Sequence, residues 1–119
     1  MKKTVLLGAS LKAHRYSNKA IRLLTDYGHE VIAIGLKEGE VNGVKIYNKT
    51  QKLTGVHTVT LYLSPKRQSE FYDYILSLNP ERIIMNPGTE NEELKEMAIK
   101  KQIEVVEFCT LVMLNMDKF

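Results

Sequence analysis

Short apolar runs alternate with amphipathic helical stretches along all 119 residues, and this alternation limits the fold more than any single motif. Residues 4–7 (TVLL) form an apolar run of the kind that buries both faces of a strand. Residues 17–27 place Ala20, Ile21, Leu23 and Leu24 on one helical face, and Gly28 stands where a helix C-cap is expected. Further strands are predicted at 30–34, 45–47, 56–63, 82–85 and 103–106. A second helix is predicted from Ser64-Pro65 to about 78, because serine caps helices well and proline suits the first helical position. A third opens at Asn91 and runs to about 101, with Glu92 and Glu93 in its first turn and Lys100 and Lys101 in its last, as the helix dipole favours. Residues 35–43 read as a polar, glycine-containing connection, and 109–114 as a short helix or an edge segment.

Strands joined through helices need right-handed crossovers, and crossovers give a parallel sheet covered on both faces. The expected fold is a single small doubly wound α/β domain over residues 1–119, its sheet mostly parallel and its helices on both sides. No repeat, linker or low-complexity tract divides it. Ligands of such folds bind beyond the carboxyl ends of the strands, where the strand order reverses.

Bulk composition narrows the function. No apolar run approaches the roughly 18 residues of a membrane span, and residues 1–7 are too short for a secretory signal. One cysteine, Cys109, permits no internal disulfide, which agrees with a cytoplasmic location. Net charge is only +3, but residues 1–25 carry six of the 17 bases (Lys2, Lys3, Lys12, Arg15, Lys19, Arg22) and none of the 14 acids. A locally positive start suits an anionic small molecule. Nucleic acid is disfavoured, because no aromatic residues interleave with the bases.

The junctions between strands and helices are the places to look for that anion. Three are expected on one edge: Gly8-Ala9-Ser10, Ser64-Pro65 and Asn86-Pro87-Gly88; the Gly35-Leu36-Lys37 segment is a fourth. Small residues admit a ligand to the backbone, and helix starts offer free N–H groups to phosphate. The first junction holds one glycine, where the dinucleotide fingerprint would have two more; Lys12, His14 and Arg15 follow instead. NAD-binding folds place an acid after the second strand to hold the ribose 2′-hydroxyl. Here Lys37 is the first charged residue, which suits a phosphorylated ribose: NADP with its 2′-phosphate, or coenzyme A with its 3′-phosphate.

Taken together, GAS at 8–10, RYSNKAI at 15–21, GHEVIAI at 28–34, TVTLYLSP at 58–65, NPGTEN at 86–91 and CTLVML at 109–114 resemble the small stand-alone CoA-binding proteins of bacteria. Their domain is similar to the CoA-binding domain of the succinyl-CoA synthetase alpha subunit. The resemblance implies a Rossmann-like fold that binds coenzyme A or an acyl-CoA. It implies that Gly8, Ala9, Ser10, Lys12, Arg15, Tyr16 and Ser17 approach the diphosphate and ribose. Gly35 and Lys37 would lie by the 3′-phosphoadenosine, and Leu63, Ser64, Pro65, Asn86, Pro87 and Gly88 along the nucleotide or pantetheine. The segment after the second strand often carries a proline in such domains, and Gly35-Leu36-Lys37 departs from that. Gly8 is expected to be needed because a ligand passes its backbone, with Gly8→Val leaving the fold largely intact.

No catalytic constellation accompanies these residues. His14, His29 and His57 are scattered, and no pair has metal spacing. Cys109 reads as a small buried hydrophobe, the alternative being a thiol that forms a mixed disulfide with CoA. Glu90, Glu92 and Glu93 start a helix. The expectation is a non-catalytic CoA-binding module. The alternatives are an NADP-dependent reductase or reductase subunit, for which Tyr16 with Lys12 or Lys19 is the candidate proton donor, and a protein-interaction module that has lost its ligand.

Overall fold

A computed structural model describes residues 1–119. In chain order the elements are β1 (Thr4–Ala9), α1 (Tyr16–Asp26), β2 (Val31–Gly35), β3 (Gly39–Val41), β4 (Val44–Tyr47), β5 (Thr58–Leu61), α2 (Pro65–Gln68), a 3-10 turn (Ser69–Phe71), α3 (Tyr72–Ser77), β6 (Arg82–Met85), α4 (Glu92–Lys100), β7 (Glu104–Glu107) and α5 (Thr110–Asn115). One seven-stranded sheet runs in the order β3-β4-β2-β1-β5-β6-β7. Every pairing is parallel except the β3–β4 hairpin. This is the Rossmann-like α/β domain expected. Its strand order reverses between β1 and β5, so ligand chemistry belongs at their carboxyl ends.

Alternate residues of each strand feed two cores. Val5, Leu7, Val59, Leu61, Ile83 and Met85 pack with Ile75 of α3 and Leu94 and Ala98 of α4. Leu6, Ala33 and Ile46 pack with Ala20, Ile21 and Leu24 of α1 and Leu114 of α5. Burying each large aliphatic side chain contributes roughly 1.5–3 kcal/mol, so the sheet is gripped from both faces.

Four boundaries differ from expectation. β1 runs on to Ala9, because Ala9 pairs with Gly35 past a bulge at Gly8. The 35–43 connection contains β3, joined to β4 by Asn42 and Gly43 at φ 51° and 81°, the two left-handed residues of a tight hairpin turn. β5 covers half of the predicted 56–63, since only Thr58 to Leu61 find partners on both sides. The predicted 65–78 helix is broken at Phe71 (φ −111°, ψ 2°). The break turns Phe71 toward the carboxyl edge of the sheet, while the hydroxyl of Tyr72 accepts from Asn91 Nδ2 at 2.8 Å.

Candidate functional site

β1, β2 and β5 end around a cleft of about 540 Å³. Of the residues named from the sequence, Gly8, Ala9, Ser10, Lys12, Arg15, Gly35, Lys37 and Leu63 line it. Two glycines shape its floor. A β-carbon on Gly35 would collide with the carbonyl oxygen of Ala9, and one on Gly8 would meet the main chain of Tyr62. The three strand ends therefore approach more closely than side chains would permit, which leaves main chain as the surface of the cleft.

The loop between β1 and α1 is fixed from beneath. Ser10 Oγ accepts from the Lys12 main-chain N–H at 3.1 Å. Asn18 Nδ2 donates to Ser10 O at 2.9 Å, Arg22 Nε donates to Asn18 Oδ1 at 2.9 Å, and Arg22 Nη2 donates to Ala13 O at 3.0 Å. Asn18 and Arg22 sit one helical turn apart on α1, and that spacing was the signal in the sequence for their role. Arg15 precedes α1 without a side-chain cap, and no acid stands in the first turn. The opening N–H groups of α1 have no acceptor within the helix, and the positive end of its dipole stands at this loop.

Four cations border the cleft: Lys12, Arg15, Lys37 and Arg67. The chain's two ion pairs lie elsewhere, at His57–Glu81 and Lys95–Glu107, so all four cations are free to meet an anion. Glu70 is the one acid in the lining. Glu38 and Glu40, the acids nearest the end of β2, are both exposed outside it. Arg67, Asn48, Tyr62 and Phe71 are lining residues that the sequence did not single out.

The remaining predicted residues lie outside the lining. Tyr16 is 68% exposed and carries Lys19 Nζ at 5.3 Å above its ring. Ser17 is buried on α1. Ser64 and Pro65 are exposed at the start of α2, as are Pro87 and Gly88 in the turn after β6. Asn86 is buried, and its amide is fully used. Nδ2 donates to Thr60 Oγ1 at 2.7 Å and to Leu61 O at 2.8 Å, while Oδ1 accepts from the Thr110 N–H at 2.8 Å. This one side chain ties β5, β6 and α5 together.

Tyr62 lines the cleft, but its hydroxyl is buried, and burial raises its pKa far above the ordinary phenol value. It stays neutral and is withdrawn from the cleft. Cys109 is half-buried at the start of α5, outside the lining. His14 is exposed in the β1–α1 loop. His29 and His57 lie toward the amino ends of the strands, where His29 Nδ1 accepts from the Lys2 N–H at 3.0 Å and His57 Nδ1 meets Thr58 Oγ1 at 2.7 Å. No three His, Cys, Asp or Glu side chains gather as a metal site, and no helix is long and apolar enough to cross a membrane.

The chain is similar to an uncharacterized protein of known crystal structure at 51% identity, over 100% of this chain and 98% of that one, with a TM-score of 0.96. A hypothetical protein from Pyrococcus horikoshii OT3 is 26% identical, over 93% of this chain and 80% of that one, with a TM-score of 0.84. The fold also matches part of the dinucleotide-forming acetyl-coenzyme A synthetase 1 of Ca. Korarchaeum cryptofilum, solved with phosphate and ADP. That match has 20% identity, covers 88% of this chain and 25% of the enzyme, and has a TM-score of 0.69. No curated protein matches the sequence. A family model described as the CoA binding domain matches residues 2–115, and the chain therefore belongs to the CoA binding domain family.

Proposed function

We propose that the protein binds coenzyme A or an acyl-CoA in the cleft at the ends of β1, β2 and β5, and does not transform it. The observation that carries this reading is the set of four unpaired cations around a main-chain floor, with a lysine in place of an acid after β2. The Gly8-Ala9-Ser10 turn, Lys12, Arg15 and the first N–H groups of α1, including that of Ser17, would receive the diphosphate, with Tyr16 beside the ribose. Gly35 and Lys37 would border the 3′-phosphoadenosine. The pantetheine arm would leave past Leu63 and run over the exposed Ser64-Pro65 and Pro87-Gly88, with Asn86 holding the second turn in place. A small cytoplasmic carrier or sensor of CoA fits these features. The reductase alternative draws no support from Tyr62, the one tyrosine in the lining, because its hydroxyl is buried.

Titration calorimetry with CoA, acetyl-CoA, NADP and NAD tests the ligand. CoA or acetyl-CoA should bind more tightly than either dinucleotide, and NAD binding as tight as CoA would overturn the proposal. Incubation with acetyl-CoA tests the absence of turnover: thiol release should stay at the buffer rate. Sustained release abolished by Ser64→Ala or Cys109→Ala would make the protein an enzyme.

A further inference from the structure

The three cations expected from the sequence come from the β1 and β2 side of the cleft, whereas Arg67 comes from the β5 side. Arg67 lies on α2 in the first turn after Ser64-Pro65 and is half-buried. Its guanidinium has no acid within ion-pair distance.

Its neighbour explains why the side chain is aimed there. Gln68 is fully buried, and its Nε2 donates to Leu63 O at 2.9 Å and to Thr89 O at 2.8 Å. Its Oε1 accepts from Asn91 Nδ2 at 2.9 Å. Three hydrogen bonds fix the rotation of α2, and fixing Gln68 inward carries Arg67 to the cleft. Arg67 makes no ion pair within the protein, so its donors are available to an anion in the cleft.

Cations on two walls match a ligand with two separated anionic groups better than a ligand with one. A diphosphate alone would be satisfied by the β1–α1 loop. A planar guanidinium forms paired hydrogen bonds to a phosphomonoester, which a lysine cannot do. We infer that Arg67 is a specificity-determining residue of the cleft. It lines the cleft from the β5 side while Lys37 lines it from the β2 side, and the two together read the terminal phosphomonoester of a ligand that also carries a diphosphate. This rests on the CoA reading above and assigns to it a residue on the opposite wall.

The experiment is calorimetric titration of the wild-type chain, Arg67→Gln and Arg67→Lys with CoA and with dephospho-CoA, which lacks only the 3′-phosphate. Thermal melts establish that each variant is folded. Arg67→Gln should bind CoA at least about tenfold more weakly, the lower end for loss of a charge-assisted bond, and dephospho-CoA within about threefold of wild type. Arg67→Lys should fall between the two for CoA, because it keeps the charge and loses the fork. Equal losses for both ligands would place Arg67 at the diphosphate and overturn the inference while leaving CoA binding intact. A wild-type chain that binds neither ligand would remove the CoA reading and this inference together.

Discussion

A β-carbon built on Gly8 would lie 2.7 Å from both the carbonyl carbon and the carbonyl oxygen of Tyr62. The glycine is needed by the sheet before it is needed by any ligand. At φ 97° it also occupies backbone space that side chains rarely enter. The expectation that Gly8→Val would spare the fold is therefore corrected: the neighbouring atoms are main chain of the residue that follows β5, and they have little room to yield. Gly8→Ala should destabilise the protein by about 2–4 kcal/mol, combining the 1–3 of overpacking with roughly 1 for the positive φ. Urea unfolding monitored by circular dichroism measures it, and an unchanged midpoint would remove the steric argument.

Arg15 stands free at the start of α1. Replacing it with alanine should weaken CoA binding by about 1.5–3 kcal/mol, the usual range for a hydrogen bond to a charged group. The midpoint of thermal unfolding without ligand should be unchanged, because no protein partner is lost. Calorimetry and a melt on the same sample separate the two. A large fall in melting temperature would mean that Arg15 supports the loop and is not reserved for an anion.

Asn86 shows the opposite pattern. Its replacement by alanine removes a hydrogen bond from three buried groups: Thr60 Oγ1, Leu61 O and the Thr110 N–H. Thr60 Oγ1 keeps its 2.8 Å contact with Thr110 Oγ1, so two groups lose their partner outright. Asn86→Ala should cost about 2–6 kcal/mol of stability, from roughly 1–3 for each of the two unsatisfied groups. CoA affinity of the remaining folded protein, measured at low temperature, should move by less than about threefold. Severe loss of affinity in a protein of normal stability would assign the amide to the ligand.

Acid should loosen the amino ends of the strands. Burial is the main cause that lowers the pKa of His29 below 6.5, and the N-terminal ammonium, Lys2, Arg82 and His57 act in the same sense. His57 is lowered mainly by burial as well, although Glu81 opposes the shift. Between the folded pKa of His29 and 6.5 the unfolded chain binds more protons than the folded one. Stability from this group is thus complete above 6.5 and is lost as pH falls toward the folded value. The melting temperature should drop between about pH 7 and about pH 5, and His29→Gln should flatten part of that slope. Identical slopes in the two proteins would assign the loss to other groups.

The alternation of strands and helices was enough to read the sheet, its parallel sense and the edge that carries the cleft, because period and turn chemistry are local properties. Gly8, Lys12 and Lys37 were legible for the same reason: each is the first small or charged residue after a predicted strand. Arg67 was not, because its orientation depends on Gln68, whose partners Thr89 and Asn91 lie more than 20 positions away. Asn86 was legible as a turn residue, but whether its amide faced outward or inward depended on Thr60 and Thr110, which only the folded sheet brings near. The β3–β4 hairpin was within reach, since an Asn-Gly pair between apolar residues is a strong turn signal.

Both margins of the sheet are short and carry acids. β3 presents Glu40 between Gly39 and Val41, and β7 presents Glu104 and Glu107, of which Glu107 is matched by Lys95 at 3.2 Å. Open sheet margins can template the stacking of further chains into fibrils. Two copies of this protein meeting margin to margin, in any of the three combinations, would have to bring carboxylates together with few main-chain bonds in return. Short margins that carry acids are poor templates for the strands of a neighbour, so the strand order from β3 to β7 ends at edges that do not invite an eighth strand.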